Sequence, residues 1–282
     1  MGQNEISEYK IVDKIKLPGE GFWDYLSVDE AGARLFLSHG TIDDTPGVHG
    51  IALAPDLNKA FISVGSNASV KVINFSTLAS IADIKITGEG PDAIMYDKFS
   101  GKPEFPVSDG KGKVFVNIED KSLISVIDVN SMKVEKSWPI APGEEASGLA
   151  LDNETHRLFS VCSNKLMVII DALDEHIVST LPIGDGCDGV KFDPGMKRAF
   201  SSNGEGTMTV VQEIDKDNYQ VIANVTTAPG ARTLALDTNT HHIYMPTAEM
   251  NPSPEPTADN PRPRRSIKPG SFFVMDIVQV KN

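Results

Sequence analysis

Seven short segments of the chain share one pattern: a polar residue at the second position, then an apolar run that ends on aspartate in six copies. They lie at residues 23–29, 48–54, 91–97, 103–109, 146–152, 187–193 and 231–237. The fifth copy reads Ala-Ser-Gly-Leu-Ala-Leu-Asp, and the seventh reads Ala-Arg-Thr-Leu-Ala-Leu-Asp. An internal repeat constrains the architecture of a chain more strongly than any local prediction does.

The spacing of the segments predicts an all-β fold, a seven-bladed β-propeller. Their second residues, numbers 24, 49, 92, 104, 147, 188 and 232, are separated by 25, 43, 12, 43, 41 and 44 residues. Repeats of about 40 residues with about four short strands are typical of propellers. The seventh repeat lacks a fourth strand, so we expect residues 9–17 to complete the last blade. This closes the ring of a single domain over residues 1–282.

The first and third repeats are shorter than the others, which puts blades 1 and 3 in question. Compared with the four regular repeats, the first lacks about 17 residues and the third about 30. Either the chain is a deletion variant, or segments of the molecule are missing from the sequence. We favour missing segments, because a blade reduced to one strand would expose unsatisfied backbone groups.

Composition excludes some classes of partner and leaves the compartment open. The formal net charge of −13 disfavours general binding of nucleic acid, whose phosphates such a surface repels. No apolar run approaches the roughly 18 residues of a membrane span. The first residues, Met-Gly-Gln-Asn-Glu, show no secretory signal, which fits either a cytoplasmic protein or a mature exported chain. We expect a monomer.

The fifth repeat carries a family resemblance. Its Gly148–Asp152 strand is followed by Arg-Leu-Phe-Ser-Val at 157–161, Ile-Ile-Asp at 169–171 and Pro-Ile-Gly at 182–184. This succession resembles the YVTN-type (YncE-like) β-propeller family, and weaker copies occur in three other repeats. The resemblance implies an exported, periplasmic or secreted protein of a family often described as surface-layer or quinoprotein-dehydrogenase-like. It carries over no catalytic residue.

The second residues of the pattern are the candidate binding site. Inner strands of a propeller converge on a central channel, so these residues form a polar ring at one channel mouth, together with Trp23 as a stacking group. The ring consists of Asp24, His49, Asp92, Glu104, Ser147, Asp188 and Arg232. Crowded carboxylates repel one another unless a cation lies among them, so the ring predicts a cation or ligand site. A water-filled polar channel is the alternative.

A metal site and a disulfide are two narrower hypotheses. His39 ends the second strand of the first repeat, on the same face as His49, and with Asp24 and Asp92 the two imidazoles would suit a divalent metal. Ordinary turn histidines are the alternative. Cys162 and Cys187 open onto one face of adjoining blades, so a disulfide is open to them if their Cα atoms come within about 7 Å.

The functional hypotheses are three, and the sequence leaves open whether the chain is an enzyme. The first is an exported, non-catalytic binding protein that holds a small ligand, cation or protein partner at the channel mouth. The second is a metal-assisted hydrolase or lyase, lactonase-like, in the same channel. The third, suggested by the resemblance alone, is a quinoprotein-dehydrogenase-like oxidoreductase. The Pro- and Arg-rich loop at 249–270 is interpreted as a lid, a partner-docking arm or a mobile loop.

Overall fold

The computed structural model describes residues 8–19, 22–39, 45, 47–86, 94, 106–131, 133–252, 254–255 and 265–280. The described part of the chain is built from β-strands with three single-turn 3-10 helices, at Pro55–Leu57, Gly65–Asn67 and Glu119–Lys121. It contains no helix long and apolar enough to span a membrane. All structural statements below concern these residues.

The strands follow one another as antiparallel meanders. In chain order they are β1 (Glu8–Lys16), β2 (Trp23–Asp29), β3 (Arg34–His39), β4 (Val48–Ala54), β5 (Lys59–Val64), β6 (Ser69–Asn74), β7 (Ser80–Lys85), β8 (Pro106–Ser108), β9 (Lys113–Ile118), β10 (Leu123–Asp128), β11 (Lys133–Pro139), β12 (Ala146–Asp152), β13 (Arg157–Cys162), β14 (Leu166–Asp171), β15 (Ile177–Pro182), β16 (Cys187–Asp193), β17 (Arg198–Asn203), β18 (Thr207–Asp215), β19 (Asn218–Thr226), β20 (Ala235–Asp237), β21 (His242–Thr247) and β22 (Phe273–Val280).

The prediction of seven blades is wrong. The described residues form five four-stranded blades: β4 to β7, β8 to β11, β12 to β15, β16 to β19, and β20 to β22 with β1. Strands β2 and β3 form a separate two-stranded sheet. The spacing of the copies explains the lower number of blades. The 25 residues between the first two copies are enough for one hairpin, and the 12 residues between the third and fourth copies are enough for less than a hairpin. The third copy of the pattern lies outside the described residues except for Ile94.

The expected closure by the N-terminal strand is confirmed. β1 pairs antiparallel with β22, from Glu8 opposite Val280 to Lys16 opposite Phe273. Tyr9 anchors this strand: it is 5% exposed, and its ring meets Phe200 of the preceding blade edge to face at 5.7 Å. Its hydroxyl accepts a hydrogen bond from Arg198 Nη1 at 2.7 Å. Both ends of the chain therefore stabilise one sheet.

The aspartate that ends most copies of the pattern shapes the turn after its inner strand. Asp152 accepts hydrogen bonds from the backbone N–H groups of Glu154 and Thr155, at 3.0 and 3.2 Å. Asp237 does the same for the second and third residues after it. Such Asx turns satisfy backbone donors that the strand has left. The repeated aspartate is therefore a structural requirement at the channel end opposite the mouth.

Hydroxyl and amide groups of several strands bond to the inner strand of a neighbouring sheet at the channel mouth. Thr233 Oγ1 donates to the carbonyl of Asp24 at 2.9 Å, and Ser147 Oγ donates to that of Cys187 at 3.1 Å. Further bonds of this kind run from Ser38 to His49 O, from Asn117 Nδ2 to Ser147 O and Gly148 O, and from Ser202 to Arg232 O. The acceptors are carbonyls of the pattern's first three residues, so the mouth is held by the backbone.

The apolar core lies between sheets. One cluster joins β10 and β11 to the β12–β14 hairpins through Ile124, Ile140 and Leu158, all fully buried. A second joins β17 and β18 to the closing blade through Phe200, Met208 and Ile277. Close approach also explains why the third residue of the pattern is glycine at Gly148 and Gly189. A Cβ at Gly148 would lie 2.9 Å from the carbonyl oxygen of Asp188 in the next blade.

Replacing Tyr9 with alanine should loosen the closed ring. We expect Tyr9→Ala to lower the free energy of unfolding by about 3 kcal/mol, because a buried aromatic ring and a hydrogen bond are lost together. Urea denaturation followed by circular dichroism measures the change. Val12→Ala is the matched control, since Val12 lies on the same strand and is 51% exposed. Equal midpoints for the two variants would show that β1 does not stabilise the blade.

Glu213 on β18 provides a pH test of the packing. Glu213 is 3% exposed, and its Oε2 has no hydrogen-bond partner among the described residues. Burial raises the pKa of this carboxyl group, and the negative charge of the nearby Asp152 raises it further. A carboxyl group whose pKa is raised by folding stabilises the folded protein at pH values below the pKa of that group in the unfolded chain. That stability is lost as the pH rises through the folded pKa.

We therefore expect Glu213→Gln to stabilise the protein by about 1 kcal/mol at pH 7, with the gain shrinking towards pH 4. Thermal melts across that range measure it. Glu119→Gln, in an exposed turn, is the control and should show no such trend. A gain from Glu213→Gln that is equal at both pH values would contradict the account.

Candidate functional site

The inner strands surround a central channel with a cavity of about 540 Å³. Its described lining is mostly apolar and comes from six inner strands and the isolated Ile94. The lining residues are Leu26, Ser27, Val28, Ile51, Ala52, Leu53, Ile94, Val107, Ser108, Leu149, Leu151, Lys191, Ala235 and Leu236. The described side chains leave this space open, and its volume is enough for a small molecule.

Asp24 and His49 meet at the channel mouth, as their place in the pattern predicts. Asp24 Oδ2 lies 2.8 Å from His49 Nδ1. The carboxylate is 5% exposed, whereas the imidazole keeps 37% of its side-chain surface accessible. Asp24 Oδ1 has no hydrogen-bond partner among the described residues. A buried carboxylate thus fixes the orientation of a half-exposed imidazole, the arrangement used for proton transfer and for metal binding.

A second pair of opposite charges lies on the same rim. Arg232 Nε is 3.3 Å from Asp188 Oδ2, and the guanidinium is more than half exposed. Ser147 is half-buried, and its hydroxyl is engaged by the backbone of the next blade. The rim therefore offers solvent one cation and one imidazole, each paired with a carboxylate. Ser147 has a structural role there.

Aromatic side chains adjoin the rim near the first repeat. The ring centroids of Trp23 and Phe272 lie 5.2 Å apart, and His39 stacks on Phe272 at 4.4 Å. Phe22 is 62% exposed and borders a groove of about 220 Å³ with Lys268 and its neighbours. Burial lowers the pKa of His39. The neutral imidazole therefore packs as part of an aromatic cluster.

The described ends of the long loop form a stem on this face. Asn251 N–H donates to the carbonyl of Ser266 at 2.8 Å, and Lys268 N–H donates to that of Glu249 at 2.8 Å. The Lys268 ammonium pairs with the Glu249 carboxylate at 2.7 Å and so is engaged within the stem. Arg265 is exposed, while Arg262 and Arg264 lie outside the described residues. The lid and docking-arm interpretations of the loop stay predictions.

The predicted metal set is only partly described. Asp92 and Glu104 lie outside the described residues, and His39 is engaged in ring stacking. The one group of three metal-ligand side chains found among described residues lies elsewhere, at Asp171, Asp174 and His176. Asp171 there also binds Arg157 Nη1 at 2.5 Å, so a cation would compete with a guanidinium. A metal held by Asp24, His39, His49 and Asp92 stays a prediction.

The two cysteines, for which the sequence left a disulfide open, are free thiols in the structure. Cys162 and Cys187 are both buried free thiols, and Cys187 Sγ donates to the carbonyl oxygen of Cys162 at 3.1 Å. Burial raises the pKa of Cys162 to about 11 and that of Cys187 to about 12, the latter helped by the neighbouring thiol and Asp188. The two residues do face each other across adjoining blades, as the sequence predicts. Thiols with pKa values raised this far form little thiolate at neutral pH, which disfavours a nucleophilic role.

Sequence reasoning missed Lys191. It occupies the fifth position of the pattern, where the other copies have Ser27, Ala52, Met95, Val107, Ala150 and Ala235. A single lysine at a position that is otherwise small or apolar is the feature of the sequence that could have identified this residue. Lys191 lines the channel, and burial lowers its pKa. Its side chain is half-buried and borders the cavity.

Comparisons with known proteins support the fold and assign no family. No family model and no curated protein matches the chain. A chain in the crystal structure of a mitotic checkpoint complex is similar over 98% of this chain and 94% of its own length, with a TM-score of 0.71 and 8% identity. A chain of Kuenenia stuttgartiensis hydrazine synthase shares 18% identity over 85% of this chain and 64% of its own, with a TM-score of 0.47. Only the first likeness supports the fold.

Thiol labelling tests the description of the cysteines. At pH 8 neither thiol should react measurably with a disulfide reagent such as DTNB in the native protein, because a thiol with a pKa of about 11 or 12 forms very little thiolate. Both should react once guanidinium unfolds the chain. Absorbance of the released thiolate counts them. Absence of reactive thiols in the unfolded, unreduced protein would instead show that the disulfide exists.

Proposed function

We propose that this chain is a non-catalytic binding protein that holds a protein partner at the channel mouth. The observation that supports it is the composition of the exposed rim. Arg232 and Phe22 are largely accessible, and Trp23 and His49 lie half-exposed beside them. Arginine and aromatic residues are the side chains most enriched among those that dominate protein–protein binding.

The way the rim is held supports the same proposal. The carbonyls of Asp24, His49 and Arg232 each accept a hydrogen bond from a hydroxyl group, so their backbone positions are fixed before a partner arrives. Preorganisation lowers the entropy lost on binding. The similar chain noted above belongs, by its description, to a multi-protein complex, which is compatible with this use of the fold.

Export is part of the proposal. The resemblance to YVTN-type propellers, whose members are mostly exported, is what supports a periplasmic or secreted location.

The Asp24–His49 pair favours a second candidate, a metal-assisted hydrolase or lyase that works in the channel. A half-exposed imidazole oriented by a buried carboxylate, next to an open cavity, suits a general base or a metal ligand. This candidate requires a cation bound near the mouth. Elemental analysis of the untagged protein distinguishes it from the binding proposal.

Removal of the exposed rim groups tests the binding proposal. We expect the double variant Phe22→Ala, Arg232→Ala to weaken capture of a partner from an extract of the source organism at least tenfold, because each group removes about 1 kcal/mol or more of binding free energy. Quantitative mass spectrometry of the captured proteins measures it. Lys216→Ala is the control, since this exposed residue lies in the β18–β19 turn on the opposite face.

Two results would contradict the binding proposal. One is a set of captured proteins that is identical for the wild type and the rim variant, with both proteins folded to the same thermal midpoint. The other is a stoichiometric metal in the untagged protein together with hydrolytic turnover that is lost in His49→Gln. The second result would establish the enzyme candidate.

A further inference from the structure

The strand β7 is the outer strand of its blade, and among the described residues it pairs on one side only, with β6. Such a sheet edge presents unpaired N–H and C=O groups that can accept a further strand. Several charges protect an edge of this kind on β1, which has five charged residues among its nine. On β7 the charged residues are Asp83 and Lys85, both exposed. The Lys85 ammonium donates to the carbonyl oxygen of Asn67 at 3.1 Å, a contact open to solvent that it can exchange for a carboxylate.

Apolar side chains are exposed on both faces of β7. Ile81 and Ile84 lie on opposite faces and are 51% and 50% exposed, and Ile86, directly after the strand, is 36% exposed. No other outer strand of the described blades exposes as many large apolar side chains. An apolar, weakly charged edge strand is the kind of surface through which the sheets of two molecules pair.

The hydrogen bonds to β6 determine which residues of β7 face the free edge. The N–H of Ile86 donates to the carbonyl oxygen of Ala68, just before β6, at 2.9 Å. Residues of an antiparallel ladder alternate between the two neighbours, so Ile84 also bonds towards β6 in this register. Asp83 and Lys85 therefore turn their N–H and C=O groups to the free edge.

One register of two antiparallel copies of β7 satisfies both the hydrogen bonds and the charges. Residues that face the edge must lie opposite each other, so the two-fold axis passes between one residue and its own copy. An axis at Asp83 places two carboxylates opposite each other, and an axis at Lys85 does the same with two ammonium groups. An axis at Ala82 leaves Asp83 opposite Ile81. An axis at Ile84 places Asp83 opposite Lys85.

The register with its axis at Ile84 also matches the apolar side chains. Symmetry repeats the pair of Asp83 and Lys85 on the other side of the axis. Ile84 lies opposite its own copy, and Ala82 lies opposite Ile86. Opposite charges and apolar pairs directly across two antiparallel strands stabilise their pairing. The edge is therefore complementary to itself.

We propose that β7 is a self-association edge, which pairs antiparallel with β7 of a second copy of this chain about a two-fold axis at Ile84. Two four-stranded blades then form one continuous sheet. Both copies use the same edge, so association stops at the dimer. The contact involves one strand from each copy, so the dimer is weak and reversible. This inference replaces the expectation of a monomer and does not depend on the partner proposed for the rim.

Cysteine cross-linking of the full chain tests the position of the axis. Directly opposite residues of an antiparallel pair have Cβ atoms about 5 Å apart, close enough for a disulfide. With copper phenanthroline and dissolved oxygen as the oxidant, we expect Ile84→Cys to give at least tenfold more covalent dimer than Ile81→Cys. A non-reducing gel measures the yields.

Ile81→Cys is the matched control for this experiment. Ile81 lies on the same strand and is as exposed as Ile84. In the proposed register it lies about 20 Å from its own copy, too far for a disulfide. Cys162 and Cys187 are buried and should not contribute in either variant.

Charge reversal tests the register independently. Sedimentation velocity of the wild type at about 100 µM should show a dimer in exchange with monomer, as expected for a small interface. Lys85→Glu and Asp83→Lys each place like charges opposite each other twice, so each variant alone should dimerise at least tenfold more weakly. An equimolar mixture of the two should dimerise as the wild type does, because both pairs then join an acid to a lysine.

Three results would overturn the proposal. One is a wild type that stays monomeric at that concentration. Another is a yield of covalent dimer that is no higher for Ile84→Cys than for Ile81→Cys. The third is a dimer that the charge variants do not weaken, or that their mixture does not restore although circular dichroism shows both variants folded, since the contact would then lie elsewhere on the molecule.

Discussion

The hydrogen bonds between neighbouring inner strands are the interaction on which the rest of the structure depends. Each sheet alone has an inner edge whose backbone groups face the channel, and a sheet edge without partners is unfavourable. The side chains of Ser38, Thr233 and Asn117 bond to carbonyls of a neighbouring inner strand and join consecutive sheets among the described residues. Because the acceptors belong to the residues that form the rim, the contacts that join the sheets also position the candidate site. The same hydrogen bonds therefore contribute to the stability of the fold and to the geometry of the candidate site.

The charge distribution follows from this construction. At Asp24, His49 and Arg232 it is the backbone carbonyl that bonds to a neighbouring strand, which leaves the side chain at the second position of the pattern free to differ between copies. Asp24 is paired with the His49 imidazole and Asp188 with the Arg232 guanidinium, in each case from another copy of the pattern. Among the described residues that line the channel behind the rim, only Lys191 and two serines are polar. The molecule therefore presents a polar entrance and an apolar interior.

The sequence predicts the repeat unit well and the number of units poorly. The terminal aspartate, the four-strand meander and the pairing of β1 with β22 are local consequences of the pattern, and the structure confirms them. Counting copies as blades failed because a seven-residue pattern marks one strand and does not guarantee the residues for three more. In the site, the Asp24–His49 contact follows from equal positions in adjacent copies. The sequence did not show which of the candidate side chains are buried. In the structure His39 stacks on an aromatic ring, and burial raises the pKa of both cysteines. Lys191 was visible as an exception to the pattern, but its importance depends on the cavity.

Native-state hydrogen exchange of the inner-strand amides tests most directly whether the ring is one cooperative unit. If the bonds between sheets hold it together, the amides of β4, β12 and β16 should exchange only through a common opening, with equal free energies close to that of global unfolding. The substitution Ser202→Ala should lower all three values together. Sheets that open one at a time, with only the β16 value lowered by that substitution, would contradict the account and show that each blade is stable by itself.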